Sequence, residues 1–170
     1  MRLSLRARIS ESKRCMNDVK EKTVCFTGHR RVIHKHLEEQ LDEIVTNLAE
    51  AGYLYFGIGG AKGFDYLAAK SVLRVQERFP AIKLIIVIPC SDYYDRWMND
   101  DKSLYFDILK KADKVRVMSD HYYRGCMQVR NKYLADNSSV CVNYLYKNEG
   151  GTAFTVEYAR KKGLTLVSVI

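Results

Sequence analysis

The residues best suited to chemistry fall in four short groups along a chain of 170 residues. Thr27-Gly28-His29-Arg30 sets two basic side chains beside a glycine. Gly59-Gly60-Ala61-Lys62-Gly63-Phe64-Asp65 joins glycines to an acid. Pro89-Cys90-Ser91-Asp92 runs into the aromatic residues Tyr93, Tyr94 and Trp97. Glu149-Gly150-Gly151-Thr152 returns to glycine near the C-terminus. A glycine turn ahead of a helix leaves backbone N–H groups free, and the helix dipole adds to their attraction for an anion. Glycine also lets a ligand approach the backbone closely. Gly59, Gly60 and Gly63 therefore read as one phosphate cradle. Gly150, Gly151 and Thr152 read as a second, with the Thr152 hydroxyl free to cap the helix or meet a phosphate oxygen.

The other candidates fit around these loops. His29 and Arg30 place positive charge where an anion would meet it, and a histidine suits proton exchange near neutral pH. Asp65 stands at a helix start, where it can hold a ribose hydroxyl, act as an acid or base, or simply complement the dipole. Arg130 can clamp a phosphate through two parallel hydrogen bonds. Trp97 offers the flat face that a nucleotide base needs. Cys90 reads as a small buried hydrophobe. His34 and His36 read as surface residues.

Alternating apolar runs and helical periods supply the elements that must position these groups. Thr23–Thr27, Tyr53–Ile58 and Ile82–Ile88 read as strands, the last apolar enough to be buried on both faces. Lys114–Met118 alternates like a strand near an edge. Val140–Leu145 and Leu164–Ile170 complete a set of about six strands. Between them, Leu37, Leu41, Ile44, Val45 and Leu48 recur at helical spacing, with Gly52 as a stop. Leu67, Ala68, Ser71, Val72 and Val75 give a second helical face. Pro89–Ala112 is a loop and then a helix, Gly125–Asp136 a helix, and Thr152–Lys162 a short last helix. The fold class is α/β: a single Rossmann-like, doubly wound domain on a mostly parallel sheet. Such sheets bind ligands beyond the carboxyl ends of their strands, and all four chemical groups follow strands.

Composition excludes several classes. A hydrophobic fraction of 47% and a charged fraction of 28% describe a globular chain rather than a disordered one. No apolar run approaches the roughly 18–20 residues of a membrane span. Residues 1–15 hold Arg2, Arg6, Arg8, Lys13 and Arg14 against Glu11, a net +4 out of the chain's +8. Half of the basic excess thus sits in a short tail, which weakens an electrostatic case for nucleic acid. Residues 1–21 read as a flexible basic extension, with Met16 as an alternative start, and 22–170 as the domain. The tail lacks the apolar core of an export signal. The cysteines are odd in number, Cys15, Cys25, Cys90, Cys126 and Cys141, with no paired ligand spacing, so reduced thiols in a cytoplasm and no metal site are expected. The loops match neither GxGxxG nor a Walker A motif.

Cys25-Phe26-Thr27-Gly28-His29-Arg30, the Gly59–Asp65 loop, Pro89 followed by Trp97, and Gly150-Gly151-Thr152 together resemble the YpsA-type branch of the SLOG superfamily. The resemblance covers about residues 22–170. That superfamily joins the DprA/Smf DNA-processing proteins with the LOG ("lonely guy") proteins. It implies a Rossmann-like fold that binds a nucleotide or nucleotide-derived ligand of the NAD or ADP-ribose kind, without fixing a reaction for this branch. The LOG relatives hydrolyse nucleoside monophosphates with an arginine before strand five and a GGxGTxxE motif. Arg130 matches the arginine. Thr155 stands where the glutamate would be, and Glu157 lies about 200° further around the helix.

The expected function is binding of a small nucleotide by the two glycine loops, as a sensor or as an enzyme acting on a nucleotide bond. In a hydrolase of this kind Asp65 would be the acid/base and Arg130 the phosphate clamp. Two alternatives remain: a single-stranded DNA-binding protein of DprA type, and a LOG-like phosphoribohydrolase. A homo-oligomer is compatible with the chain, and no membrane partner is expected.

Overall fold

The computed structural model describes residues 18–170. Most of the basic extension expected over residues 1–21 thus lies outside the described residues. Residues 18–21 form a helical turn, and its Val19 carbonyl accepts the Thr23 hydroxyl at 2.6 Å. The strands are β1 (Thr23–Gly28), β2 (Tyr55–Ile58), β3 (Lys83–Ile88), β4 (Lys114–Val117), β5 (Val140–Tyr144) and β6 (Thr165–Ser168). The helices between them are α1 (Leu37–Glu50), α2 (Phe64–Gln76), α3 (Asn99–Lys111), α4 (Cys126–Asp136) and α5 (Gly150–Lys161). The sheet has six strands in the order β4-β3-β2-β1-β5-β6, and every pairing is parallel.

The near-continuous apolar character of the central strands follows from burial on both faces. Successive side chains point to opposite faces of a strand. Val24, Phe26, Ile58 and Ile86 therefore join Leu41 and Val45 of α1 and Ala68 and Val72 of α2 in one core. Cys25, Val87 and Cys141 turn the other way, against Leu134 of α4 and Ala159 of α5. Helices α1 and α2 are fastened by Arg74, which donates to both carboxylate oxygens of Asp42 and to Glu38. This contact steadies the helix that carries Asp65.

Two features decide where a ligand can sit. Strands β1 to β4 step across the sheet in one direction, and the chain then returns to lay β5 on the free side of β1. That reversal opens a crevice beyond the carboxyl ends of β1 and β5. The second feature is the start of α5. The sequence reading places it at Thr152, but the helix begins at Gly150, after Glu149 in an extended conformation. Both glycines therefore belong to the first turn. Strand β4 is exposed along its length, and Lys114 and Arg116 discourage pairing at that edge.

Candidate functional site

A cavity of about 310 Å³ occupies the crevice. Gly28, His29 and Arg30 reach it from the end of β1, Asp65 from α2, Arg130 from α4, and Gly150, Gly151 and Thr152 from the first turn of α5. These eight of the sequence-derived candidates come together. Gly59, Gly60, Gly63 and Trp97 do not line the cavity. A larger hollow of about 450 Å³ lies over the sheet face, floored by Gly57, Ile85 and Val87. Among the described residues no carboxylate lines it.

Asp65 and Arg130 form the inner wall and are 5% and 4% exposed. The Ala61 N–H donates to Asp65 Oδ2 at 3.1 Å. Arg130 donates from Nη1 to the Val87 carbonyl at 3.3 Å and from Nε to Asn131 Oδ1 at 2.7 Å. The path continues through protein. Asn131 Nδ2 donates to Thr155 Oγ1 at 3.0 Å, and that hydroxyl donates to the Gly151 carbonyl at 2.7 Å. A buried guanidinium is thereby tied to the first turn of α5. Burial pushes the Asp65 carboxyl up to about 6, while the Arg130 charge, the Ala61 bond and the Arg30 charge pull the other way. Gly59 makes the arrangement sterically possible: a Cβ there would lie 2.5 Å from Arg130 Nη1 and 2.9 Å from Asp65 Oδ2.

The two glycine loops differ in kind. In the loop before α2, Gly63 has φ +77°, and a Cβ there would sit 1.9 Å from the Arg30 carbonyl oxygen. Gly60 has φ +71° and faces the Tyr94 hydroxyl, which donates to its carbonyl at 3.2 Å. The Ala61 N–H is held by Asp65 and the Phe64 N–H reaches the His29 carbonyl at 3.4 Å. Two of this loop's N–H groups are thus taken by protein acceptors. At the start of α5, Glu149 supplies no side-chain cap, and a Cβ on Gly150 or Gly151 would meet nothing within 4 Å. The space beside that turn is open.

The remaining candidates take structural positions around the cavity. His29 packs on Tyr146 with centroids 4.4 Å apart, and its Nε2 lies 3.1 Å from the Lys147 carbonyl oxygen, so it ties the β1 loop to the β5–α5 loop. Arg30 is exposed, and its Nη2 lies 3.6 Å from Met127 Sδ. Trp97 packs edge-on against Tyr94 and Tyr105 at 4.8 and 5.4 Å. Cys90 is fully buried, and burial pushes its thiol up to about 12, far from a reactive thiolate. Sequence reasoning missed the part played by Asn131 and Thr155. The available signal was Thr152 and Thr155 on the inward face of α5, beside Val156 and Ala159.

This geometry sets the expected outcome of three substitutions. Asp65 is protonated in folded and unfolded chains alike below its ordinary value near 3.8, and then costs nothing. As pH rises, the unfolded chain ionises first, and native stability falls through the folded value of about 6. Asp65→Asn removes that loss. Its stability gain over wild type should grow to about 3 kcal/mol by pH 8 and close below pH 4, as read by urea unfolding at several pH values. Gly63→Ala should cost more than about 2 kcal/mol, because a clash with backbone adds to a strained φ. Gly151→Ala should leave stability within about 1 kcal/mol or raise it.

Comparison with known proteins places the fold. The family model described as the YspA SLOG family, YpsA, matches residues 21–165. UPF0398 proteins of Halalkalibacterium halodurans and Brevibacillus brevis are 28% and 26% identical over 138 and 136 residues. These matches cover 79% and 78% of this chain but 72% and 66% of the relatives. DNA processing protein A from Helicobacter pylori, whose structure is described in terms of a single-stranded DNA binding mode, aligns with a TM-score of 0.66 at 19% identity. That alignment covers 91% of this chain and 67% of the other. DprA from Streptococcus pneumoniae aligns at 0.65 and 21% identity, over 88% of this chain and 50% of the other. At these identities the structural likeness establishes the shared Rossmann-like architecture, while the family match extends over nearly the whole described domain: the chain belongs to the YpsA family of SLOG proteins.

Proposed function

We propose that this protein binds the phosphate of a small nucleotide-type ligand, of the NAD or ADP-ribose kind, in the crevice between β1 and β5. The observation that carries this reading is the open first turn of α5 at Gly150 and Gly151, facing a cavity that also holds Arg30 and Arg130. Free N–H groups at a helix start and two guanidiniums are the groups that bind phosphate best. Among the described residues no carboxylate forms an ion pair with Arg30, so its charge is available to a ligand. The cavity's 310 Å³ is at the low end for a small-molecule site and suits part of a nucleotide. Asp65, with its carboxyl held near 6, is placed to exchange a proton or meet a ribose hydroxyl.

The same groups support a second reading, a phosphate of single-stranded DNA. The observation that favours it is the fold shared with two DprA structures. A LOG-type hydrolysis has less support. Thr155 replaces the motif's glutamate, and its buried hydroxyl is committed to Asn131 and Gly151.

Thermal unfolding with NAD, ADP-ribose, AMP and a thymidine oligonucleotide separates the first two readings. A ligand at 100 times its dissociation constant should stabilise by about 2.7 kcal/mol. The shift should vanish in Arg30→Gln. It should fall in Gly151→Ala, whose methyl enters the open turn without disturbing the fold. A shift that survives both substitutions would remove the α5 turn from the site. On the second reading, the oligonucleotide alone should bind, with affinity falling steeply as salt rises and persisting when residues 1–15 are deleted.

A further inference from the structure

A nucleotide needs a surface for its base as well as a turn for its phosphate. Trp97 was the expected surface, but its ring packs edge-on against Tyr94 and Tyr105, and Lys62 lies over it at 4.8 Å. The other exposed aromatic rings are mostly engaged too. Phe154 stacks on Tyr158 with Lys132 above it at 5.6 Å. Phe106 meets Tyr94 edge-on at 5.9 Å. Tyr122 and Tyr123 differ. They are 61% and 46% exposed, and among the described residues neither ring has an aromatic or cationic partner. Two large aromatics left bare in water offer flat amphipathic faces to a ligand.

The loop that displays them is held in place. It leads from β4 over the carboxyl end of the sheet into α4. The Ser91 N–H donates to the Ser119 carbonyl at 3.0 Å, and the Ser119 hydroxyl donates to the Pro89 carbonyl at 3.0 Å. The Ser119 hydroxyl also donates to the His121 carbonyl at 2.9 Å, and the Tyr123 carbonyl accepts the Cys126 N–H at 3.1 Å. A tyrosine on a fixed backbone loses few rotamers on binding. Arg124 follows directly. One turn further on, Met127 meets Arg30 at the cavity wall. The tyrosines therefore lie five and four residues ahead of a residue of the cavity wall.

We propose that Tyr122 and Tyr123 form the base platform of this site: a nucleotide whose phosphate lies at the start of α5 stacks its base on these rings. The proposal rests on the phosphate-binding reading above and adds the base to it. Stacking tolerates every base, so the platform fits a free nucleotide or one nucleotide of a single strand equally well.

The experiment uses the full chain, titrated with AMP, with ribose 5-phosphate, which lacks the base, and with a labelled thymidine oligonucleotide. The variants are the double substitution Tyr122→Ala/Tyr123→Ala, the double substitution Tyr122→Phe/Tyr123→Phe, and Arg30→Gln. The alanine pair should weaken AMP about tenfold to a hundredfold and leave ribose 5-phosphate unchanged. The phenylalanine pair should bind AMP like wild type. Arg30→Gln should weaken both small ligands. If the oligonucleotide alone binds wild type, the same pattern on that probe assigns the platform to a strand. The platform is overturned if wild type binds AMP no more tightly than ribose 5-phosphate and the alanine pair leaves the oligonucleotide untouched. It is also overturned if the alanine pair loses AMP and ribose 5-phosphate together. Should none of the three probes bind wild type, the phosphate reading falls, and the platform with it.

Discussion

A guanidinium enters a protein interior only with partners for its charge and for its N–H groups. Arg130 meets this condition at the centre of the domain, and much of the site follows from how it does so. Its helix, α4, lies on the sheet face away from α2, so its guanidinium must pass the carboxyl ends of the strands to approach Asp65. Gly59 clears that passage by having no side chain. The Val87 carbonyl and Asn131 take the N–H groups. Asn131 then passes the constraint to Thr155 and so to Gly151. One buried cation thus fixes the relative positions of β2, β3, α4 and α5. In a low-dielectric interior such a network holds its geometry better than its separate bonds would, because each bond polarises the next. The open turn at Gly150 and Gly151 is therefore anchored from behind while its front faces the cavity.

The Gly59–Asp65 loop has the composition of an anion cradle and a different occupant. Asp65 is itself the anion at the start of α2: it accepts the Ala61 N–H and complements the helix dipole. Its glycines answer packing demands from Arg30, Tyr94 and Arg130. The division of labour between the loops is electrostatic. One carries a built-in carboxylate that offsets Arg130, and the other leaves its N–H groups to whatever enters. Arg30 adds a second cation to the cavity, while Glu149 at its rim is paired with Lys147.

The order of elements was legible in the sequence because two periods, two and 3.6, mark strands and helices independently of tertiary contacts. Strand ends were read to within two residues for most elements, and the crevice followed from the parallel sheet. Several residues were legible by type and place: Gly28, His29, Arg30, Asp65 and Arg130 all lie at the cavity. The candidates that lie outside this cavity have one feature in common. Gly59, Gly60, Gly63 and Trp97 have the composition of ligand-binding residues, but what a glycine or an aromatic ring faces depends on side chains far away in sequence. Arg130 is 71 positions from Gly59, and no local pattern couples them. The α5 boundary failed for a related reason. Glycine is a poor helix residue by propensity, yet Gly150 opens the helix at φ +75°, a backbone conformation that favours glycine.

Thr155 sets the charge balance of the inner wall. A glutamate there would put a second acid near Asp65, and two carboxylates in a buried space raise each other's affinity for protons. Threonine supplies a hydroxyl with no charge. It donates to Gly151 and accepts from Asn131, so its hydrogen-bonding capacity is met within the protein. The inner wall then carries one acid, Asp65, against the Arg130 guanidinium, and Glu149 stays exposed at the rim beside Lys147. A cavity with that balance attracts a phosphate more strongly than one carrying two buried acids. The threonine thus supplies the structural bond that holds the α5 turn in register with Arg130.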